Sequence, residues 1–319
     1  MDDNSCHIQT MFELIYNQSH EIADDCFLNI KRDYDICLKL LWIEEKWNIV
    51  SDNFYEWEEE IKNSYDFLLD NHKDCNEEYG KKEIITLNRR LFNVLSGIRM
   101  YRDQVLNDLS NLDKDLKEKF EKETHIQYDR TFSYQIMEFL RNYMQHQGLV
   151  IGRITAIIPF SNTKPNYLLY FAEADYSLIK KISKYEQKIK RHPENEDRIK
   201  WLNLIGGLRE YYNQYLDLHH FFRDITQEIC DVSITYIEQT IKKIYKDVPV
   251  NKIGFYGKKE SQDYQDFLLQ LIYIERLKEY RRKNIQLDKA RYYISKKCSL
   301  SSDWIRVGNS ERLNFRYNE

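Results

Sequence analysis

Apolar side chains recur every three or four positions along most of this chain, which is the spacing of one face of an α-helix. The longest stripe of this kind consists of Leu87, Leu91, Val94, Ile98, Tyr101, Val105, Leu109, Leu112 and Leu116. It predicts one helix of about thirty residues. A turn at residues 125–129 separates it from a second amphipathic helix at residues 132–146. Because the connection is short, we expect the two helices to pack antiparallel.

The N-terminal part of the chain shows the same periodicity with interruptions. Residues 6–75 predict two or three amphipathic helices, broken near residues 32–33 and at Ser51 or Asp52, which are good N-cap residues. The polar run at residues 70–83 is typical of a loop. Three large aromatic residues of this region are predicted to lie in a core: Trp42, Trp47 and Trp57.

After Gly148 the pattern changes from helical spacing to short runs of β-branched and aromatic residues. Two such runs, at residues 149–159 and 167–172, are separated by a turn-forming string at residues 161–166. This indicates a small β-hairpin inserted into a helical protein.

Helical periodicity resumes after the hairpin. It predicts helices at residues 175–191 and 196–245, and in the second of these Gly206 and Gly207 indicate a bend or close packing. A last helix is predicted at about residues 262–283, and the chain from Ser299 onward shows no regular pattern.

These elements predict an all-α fold, an antiparallel helical bundle with a small inserted hairpin. They divide the chain into an N-terminal helical region at 1–83, a helical domain at 84–248 with the hairpin at about 149–172, and a C-terminal helix and tail at 249–319. Only 9 glycines and 4 prolines occur, which favours long helices with few turns.

Composition excludes several classes of protein. Hydrophobic residues make up 42% of the 319 residues, which is sufficient for a globular core. No segment reaches the roughly eighteen apolar residues of a membrane span, and the start of the chain is acidic where a signal peptide is basic. We therefore expect a cytoplasmic protein without a membrane segment. The six cysteines form no CxxC pair, and we predict neither a metal nor another cofactor.

Charge is unevenly distributed. Residues 1–83 carry 21 acidic and 8 basic side chains, whereas residues 276–319 carry 12 basic and 5 acidic ones. The basic stretch is interleaved with tyrosines, as in surfaces that bind nucleic acid. Its candidate RNA contacts are Arg281, Arg282, Lys283 and Arg291. Two alternatives account for the same basic stretch: a solvated helix face, or a segment that forms ion pairs with the acidic region. The acidic region at residues 1–83 is itself a candidate site for a regulatory protein partner.

The hexapeptide at residues 141–146, Arg-Asn-Tyr-Met-Gln-His, concentrates the chemically capable side chains. At about 100° per residue, Asn142 stacks over His146, while Arg141 and His146 diverge by about 140° around the helix. Asn142 is therefore the predicted neighbour of His146. Gln145, which stacks with Arg141, is a further candidate RNA contact. We expect Gly148 to end the helix in a left-handed cap, which places His146 in the last turn.

This set suits RNA cleavage by internal transfer. The 2′-hydroxyl attacks the adjacent phosphorus, so the site needs a group that moves protons and a cation for the phosphorane charge. His146 supplies the first and Arg141 the second. The products are a 2′,3′-cyclic phosphate and a 5′-hydroxyl, and the reaction needs neither a metal nor a covalent nucleophile. An exposed arginine beside a capping histidine is the alternative interpretation.

Two longer strings extend the pattern. Residues 87–101, Leu-Asn-Arg-Arg-Leu-Phe-Asn-Val-Leu-Ser-Gly-Ile-Arg-Met-Tyr, precede residues 132–148, which contain Arg141, Asn142 and His146. This arrangement resembles the HEPN family (higher eukaryotes and prokaryotes nucleotide-binding), and in particular a bacterial HEPN-like group. In that group the helix pair is followed by a small hairpin and a helix with a Leu-His pair, here Leu218-His219. The resemblance covers residues 84–245.

The resemblance implies a helical bundle with its site at Arg141, Asn142 and His146. In active members of the family two protomers bring their motif helices together around RNA, so a homodimer through the motif helix is implied. Many members are toxins or antiviral effectors that cut RNA, often tRNA, and others are inactive scaffolds. The implied function is therefore a metal-independent endoribonuclease of a toxin-antitoxin or antiviral defence system.

Two other classes of function stay open from the sequence. One is a non-catalytic RNA- or nucleotide-binding module that depends on the basic C-terminal region. The other is a helical interaction subunit of a defence system that binds its partner through the acidic region. Tyr211, Tyr212, Tyr215, His219 and His220 can line an RNA groove, but core positions also account for these residues.

Overall fold

The computed structural model describes residues 6–10, 20–71, 75–159, 169–175, 201–245, 253–257, 269–282 and 310–316. Within these ranges the protein is predominantly helical, as the sequence predicts. The helices are α1 (Asp24–Asn71), α2 (Glu77–Leu112), α3 (Lys114–Arg130), α4 (Phe132–His146), α5 (Leu204–Ile244) and α6 (Ile272–Arg282). None of these helices is long and apolar enough to cross a membrane.

Helix α1 runs unbroken for 48 residues, so the breaks predicted near residues 32–33 and at Ser51 are wrong. The segment contains neither glycine nor proline, and the capping preference of one serine is a weak local effect. Ser51 is buried instead, and its Oγ accepts a hydrogen bond from the hydroxyl of Tyr212 at 3.1 Å. Trp47 and Trp57 are buried as predicted, whereas Trp42 is 49% exposed, which corrects its assignment to the core.

Helix α2 carries most of the predicted apolar stripe, but Leu116 lies in α3, so the single helix predicted from the stripe is wrong at its C-terminal end. Every stripe residue from Leu87 to Leu109 is buried. The helix ends at Leu112 because Asp113 caps the next helix, and Oδ1 of Asp113 accepts a hydrogen bond from the backbone N–H of Asp115 at 2.7 Å.

The connection between α3 and α4 is shorter than predicted. Residues 125–129, expected as a turn, belong to α3, and the chain leaves the helical conformation only at Thr131. The Oγ1 of Thr131 donates a hydrogen bond to the carbonyl oxygen of Gln127 at 2.9 Å. This contact occupies one of the carbonyls that the last turn of α3 leaves without a helical partner.

The described strands form two four-stranded antiparallel sheets. They are β1 (Cys6–Thr10), β2 (His20–Ile22), β3 (Ile151–Pro159), β4 (Leu169–Asp175), β5 (Trp201–Asn203), β6 (Ile253–Gly257), β7 (Leu269–Gln270) and β8 (Ser310–Arg316). One sheet has the order β2-β1-β6-β7 and the other β5-β4-β3-β8. The predicted hairpin is confirmed as the pair β3 and β4, in which Ile154 lies opposite Ala172. Strand β8 lies in the tail that was expected to be irregular, and it pairs with β3.

Contacts divide the described chain into two units. Unit 1 comprises the described residues within 1–47, 103–120 and 219–289, and contains the sheet β2-β1-β6-β7 and α6. Unit 2 comprises those within 48–102, 121–218 and 290–319, and contains the hairpin and the motif helix α4. The sequence-based boundaries at residues 83 and 248 stay a prediction.

The helices predicted after the hairpin are only partly described. Of the helix predicted at residues 175–191, only Asp175 is described, and it is the last residue of β4; residues 176–191 lie outside the described residues. Of the helix predicted at 262–283, residues 272–282 are helical and a two-residue strand, β7, precedes them. The helix predicted from residue 196 begins at Leu204, directly after the short strand β5.

Candidate functional site

Within unit 2, hydrogen bonds of tyrosine hydroxyl groups connect the motif helix α4 to α5. The hydroxyl of Tyr134 lies 2.5 Å from that of Tyr215, and the hydroxyl of Tyr211 donates to Oε1 of Glu138 at 2.7 Å. The rings of Tyr134 and Tyr215 are stacked, with their centroids 5.1 Å apart. Burial raises the pKa of all three tyrosines, so their phenol groups stay protonated at neutral pH.

Further contacts align the first turns of α4 with α5. Oγ of Ser133 donates to Oε2 of Glu210 at 2.6 Å. A Cβ atom on Gly207 would lie only 2.9 Å from Cε of Met137, so this glycine gives the methionine of α4 its space. The close packing predicted for this pair of glycines is therefore seen at Gly207, while Gly206 has no neighbour within 4 Å of such an atom.

The last two turns of α4 present the predicted catalytic residues. Asn142 and His146 are exposed, and so is Gln145, the candidate RNA contact. Arg141 is half-buried, and its Nη1 donates to Oδ1 of Asn142 at 3.0 Å. All four side chains lie on the last two turns of the helix. The helix thus joins a fixed, buried first half to an accessible second half.

The pairing within the motif differs from the expected one. Helical spacing predicts Asn142 as the neighbour of His146, but the amide oxygen of Asn142 is occupied by the guanidinium of Arg141. Among the described residues, the imidazole of His146 makes no hydrogen bond, and it lies in the final turn as predicted. The motif therefore consists of an arginine-asparagine pair and a separate histidine.

Gly148 follows the end of α4, but it does not adopt the left-handed cap conformation that the sequence predicts. Gly148 has a φ of +154°, a backbone conformation that residues with a Cβ atom rarely adopt. This value is far from the +57° or so of a left-handed helical cap. The backbone N–H groups of Gln147 and Gly148 both point to the carbonyl oxygen of Tyr143, at 2.8 and 3.4 Å. One carbonyl thus closes the helix directly after His146.

A buried asparagine fixes the chain where it leaves the motif. Oδ1 of Asn88, on α2, accepts hydrogen bonds from the backbone N–H groups of Val150 and Ile151, both at 2.9 Å. Its Nδ2 donates to the carbonyl oxygens of Ile151 and Ile84, also at 2.9 Å. Asn88 belongs to the first of the two strings that carry the family resemblance, but the sequence did not single it out. Its position on the stripe side of α2, one residue after Leu87, is the signal that was available.

Two of the four predicted C-terminal RNA contacts are among the described residues, and both belong to unit 1. Arg282 is exposed on α6, and Lys283 and Arg291 lie outside the described residues. The side chain of Arg281 is only 10% exposed, and its Nη2 donates to Oγ1 of Thr226 at 2.8 Å. These contacts favour a structural role for Arg281 within unit 1 over contact with RNA.

Arg281 is part of a buried polar cluster in unit 1. Glu44 is its centre: Nε of Arg223 lies 3.0 and 3.1 Å from the two carboxylate oxygens, and Nε of Arg281 lies 3.3 Å from Oε1. Nε2 of His219 is 3.2 Å from Oε2, and the imidazole stacks on Trp47 with centroids 4.7 Å apart.

Burial acts in opposite directions on the pKa of His219 and of Glu44, and for Glu44 other contacts outweigh it. Burial lowers the pKa of His219 to about 4, so this histidine is neutral at pH 7. Burial alone would raise the pKa of Glu44, but its contacts with His219 and Arg223 reverse the effect and lower the pKa to about 2. Glu44 is therefore a buried carboxylate, and His219 occupies a core position, as do Tyr211, Tyr212 and Tyr215. His220 is half-buried.

The buried carboxyl group of Glu83 lies in unit 2. Glu83 accepts a short hydrogen bond from Oγ of Ser64, and Tyr170 is fully buried close to it. Burial raises the pKa of Glu83 to about 7, against the hydrogen bond from Ser64, which lowers it. This side chain changes its charge near neutral pH.

The residues that the sequence reasoning missed surround the motif rather than belong to it. Glu138 and Arg99 form an ion pair with 3.7 Å between Oε2 and Nη1, and Asn88 holds the exit of α4. In the described parts of the chain no three His, Cys, Asp or Glu side chains are grouped as metal ligands. Comparisons with models of known protein families, with curated proteins and with solved structures find no match for this chain.

Proposed function

We propose that this protein is a metal-independent endoribonuclease of the HEPN type. The observation that carries the proposal is that Arg141, Asn142 and His146 lie on the accessible last turns of α4, while the earlier turns of the helix are held by buried contacts. A catalytic group must be both accessible to substrate and held in position, and this helix meets both requirements.

The chemistry follows from the two kinds of side chain. The 2′-hydroxyl oxygen of a ribose forms a bond to the adjacent phosphorus, and the bond from phosphorus to the 5′-oxygen breaks. Imidazole groups take the proton from the 2′-hydroxyl and supply one to the departing 5′-oxygen. Arg141 stabilises the extra negative charge on the phosphoryl oxygens in the transition state. The oxygen of Asn142 orients this guanidinium.

The proposed site is completed by a second copy of the chain. Arg141 and His146 are five residues apart, so their side chains diverge by about 140° around one helix. A homodimer formed along α4 brings the histidine of one protomer towards the arginine of its partner. It also supplies two imidazole groups, one for each proton transfer.

The proposed substrate is cellular or phage RNA, with tRNA as the first class to examine, and the proposed setting is a cytoplasmic toxin or antiviral defence system. The acidic region at residues 1–83 is the proposed binding site for a regulatory protein, because its net charge is strongly negative.

The test is cleavage of total RNA by the purified protein in the presence of EDTA. We expect products with 2′,3′-cyclic phosphate ends, no cleavage of DNA, and a loss of about a hundredfold or more for His146→Ala and for Arg141→Ala. Matched controls are His125→Ala and Arg130→Ala, since both side chains are exposed on α3. Full activity in either motif variant contradicts the proposal. RNA that stays intact but is bound in a salt-dependent way indicates a non-catalytic binding module instead.

A further inference from the structure

Glu138 lies three residues before Arg141 on α4, and the two side chains therefore share one face of the helix. Opposite charges at this spacing attract one another and commonly pair. Such a pair would occupy the guanidinium that the proposed reaction requires for the phosphate. The structure shows a different arrangement, in which Nη1 of Arg141 donates to Oδ1 of Asn142 at 3.0 Å.

The carboxylate of Glu138 is engaged by other groups. The hydroxyl of Tyr211 donates to its Oε1 at 2.7 Å, and the hydroxyl of Tyr215 lies 3.3 Å from the same oxygen. Nη1 of Arg99, on α2, lies 3.7 Å from Oε2. The Glu138 side chain is only 15% exposed, so water screens its charge less than at an open surface.

The three partners of Glu138 differ in what they contribute. The tyrosine hydroxyls satisfy lone pairs of the carboxylate but carry no charge, because burial raises the pKa of both phenols. Arg99 contributes a positive charge, which cancels the attraction that Glu138 would otherwise exert on Arg141.

We infer that Arg99 is a positioning residue of the proposed ribonuclease site: it neutralises Glu138 from α2 and so keeps the guanidinium of Arg141 available for a phosphodiester. This inference rests on the proposed function. The role of Arg99 is indirect, since it acts through Glu138 and need not touch RNA.

A pair of substitutions separates this role from direct RNA binding. In Arg99→Ala, Glu138 is no longer neutralised and captures Arg141, so kcat falls by about two- to fivefold at saturating RNA. Adding Glu138→Gln removes the competing charge and restores kcat to within about twofold of the original value. Arg99→Lys keeps the charge and retains activity. Arg130→Ala, an exposed arginine of α3, is the matched control.

Two outcomes overturn the inference. The first is a double variant that stays as slow as Arg99→Ala, because an arginine that binds RNA directly is not replaced by a change at Glu138. The second is unchanged kcat in Arg99→Ala. If Arg99→Ala fails to fold, Arg99→Gln removes the same charge with a longer polar side chain and takes its place.

A spectroscopic measurement keeps the inference distinct from the proposed function. The Nε–H resonance of Arg141 is recorded by NMR in the unaltered protein, in Arg99→Ala and in the double variant, without RNA. We expect it to move in Arg99→Ala and to return in the double variant. An unmoved resonance overturns the inference even if RNA is cleaved. A protein that cleaves no RNA overturns the proposed function, whereas the resonance still reports whether Arg99 keeps Glu138 from Arg141.

Discussion

The side-chain amide of Asn88 exchanges two hydrogen bonds with the backbone of Ile151, as two opposite residues of neighbouring strands do. Its Oδ1 accepts the N–H of Ile151 and its Nδ2 donates to the carbonyl oxygen of the same residue, both at 2.9 Å. A helix thus supplies the partner for the first residue of β3, directly after the motif helix ends. The chain that follows the accessible end of α4 is thus held by the buried side chain of Asn88 on α2.

Replacing Asn88 by alanine leaves the N–H groups of Val150 and Ile151 without their buried acceptor. We expect the free energy of unfolding to fall by about 2–4 kcal/mol, because buried polar groups without partners are costly. Urea denaturation measures the change. Asn107→Ala, at an exposed position of the same helix, is the control and should change it by less than about 0.5 kcal/mol. Equal effects of the two substitutions would contradict this account of Asn88.

Gly148→Ala tests the backbone conformation at the end of the motif helix. A Cβ atom there meets no atom within 4 Å, so the cost arises from the φ of +154° alone. We expect a loss of stability of about 1–2 kcal/mol. Gly206→Ala is the control, since its Cβ atom also meets nothing within 4 Å and the residue lies in α5. There we expect a gain of about 0.5–1 kcal/mol, because alanine favours the helix. Thermal unfolding distinguishes the two signs, and a gain at both positions would argue against strain at Gly148.

The adjacent residues Glu44 and Glu45 provide a comparison of a buried and an exposed ion pair. Glu44→Gln leaves Arg223 and Arg281 without a buried carboxylate, and we expect a loss of about 3–5 kcal/mol. Glu45 pairs with Arg276, whose side chain is 46% exposed, and Glu45→Gln should cost less than about 1 kcal/mol. Chemical denaturation of both variants at pH 7 is the measurement. A loss at Glu45 as large as that at Glu44 would show that burial is not the cause.

Glu83 makes stability depend on pH near neutrality. Its pKa is raised from 4.5 to about 7 in the folded protein, so the folded state holds a proton that the unfolded state releases between these values. Its stabilising contribution is therefore complete below pH 4.5 and is lost as the pH rises through 7. Glu83→Gln, which cannot ionise, should gain on the order of 2 kcal/mol relative to the unaltered protein between pH 5 and pH 8.

The measurement for Glu83 is the difference in unfolding free energy between variant and unaltered protein at the two pH values, because other titrating groups cancel in that difference. Glu77→Gln is the control, since Glu77 is exposed on the same helix. A difference that does not change with pH would mean that Glu83 is already ionised in the folded protein at pH 5.

The helical pattern was predictable wherever periodicity alone decides the outcome. The stripe from Leu87 to Leu109 is buried at every position, and the hairpin at 149–172 appears as β3 and β4. The errors occurred where a local preference competes with the rest of the molecule. Ser51 is a good N-cap residue, yet it lies in the interior of α1 and accepts a hydrogen bond from Tyr212, which is 161 residues away in the chain.

Strand pairing marks another limit of the sequence pattern. Residues 312–316, Arg-Leu-Asn-Phe-Arg, alternate polar and apolar side chains, a strand signal that the expectation of an irregular tail overlooked. What the pattern does not show is that they pair with β3. The residues of β3 with which they pair are distant in the sequence, as Ile157 is from its partner Arg312. A pattern read in short windows does not contain that information.

The sequence by itself determined the helical character of the chain and the presence of Arg141, Asn142 and His146 on the last turns of one helix, because helical spacing is a property of consecutive residues. Only the tertiary structure decided which charged groups are buried and which of them form ion pairs. It places Arg99 beside Glu138 and turns Arg281 into the interior. Burial and ion pairing depend on residues from separate helices, and no local pattern specifies how those helices meet.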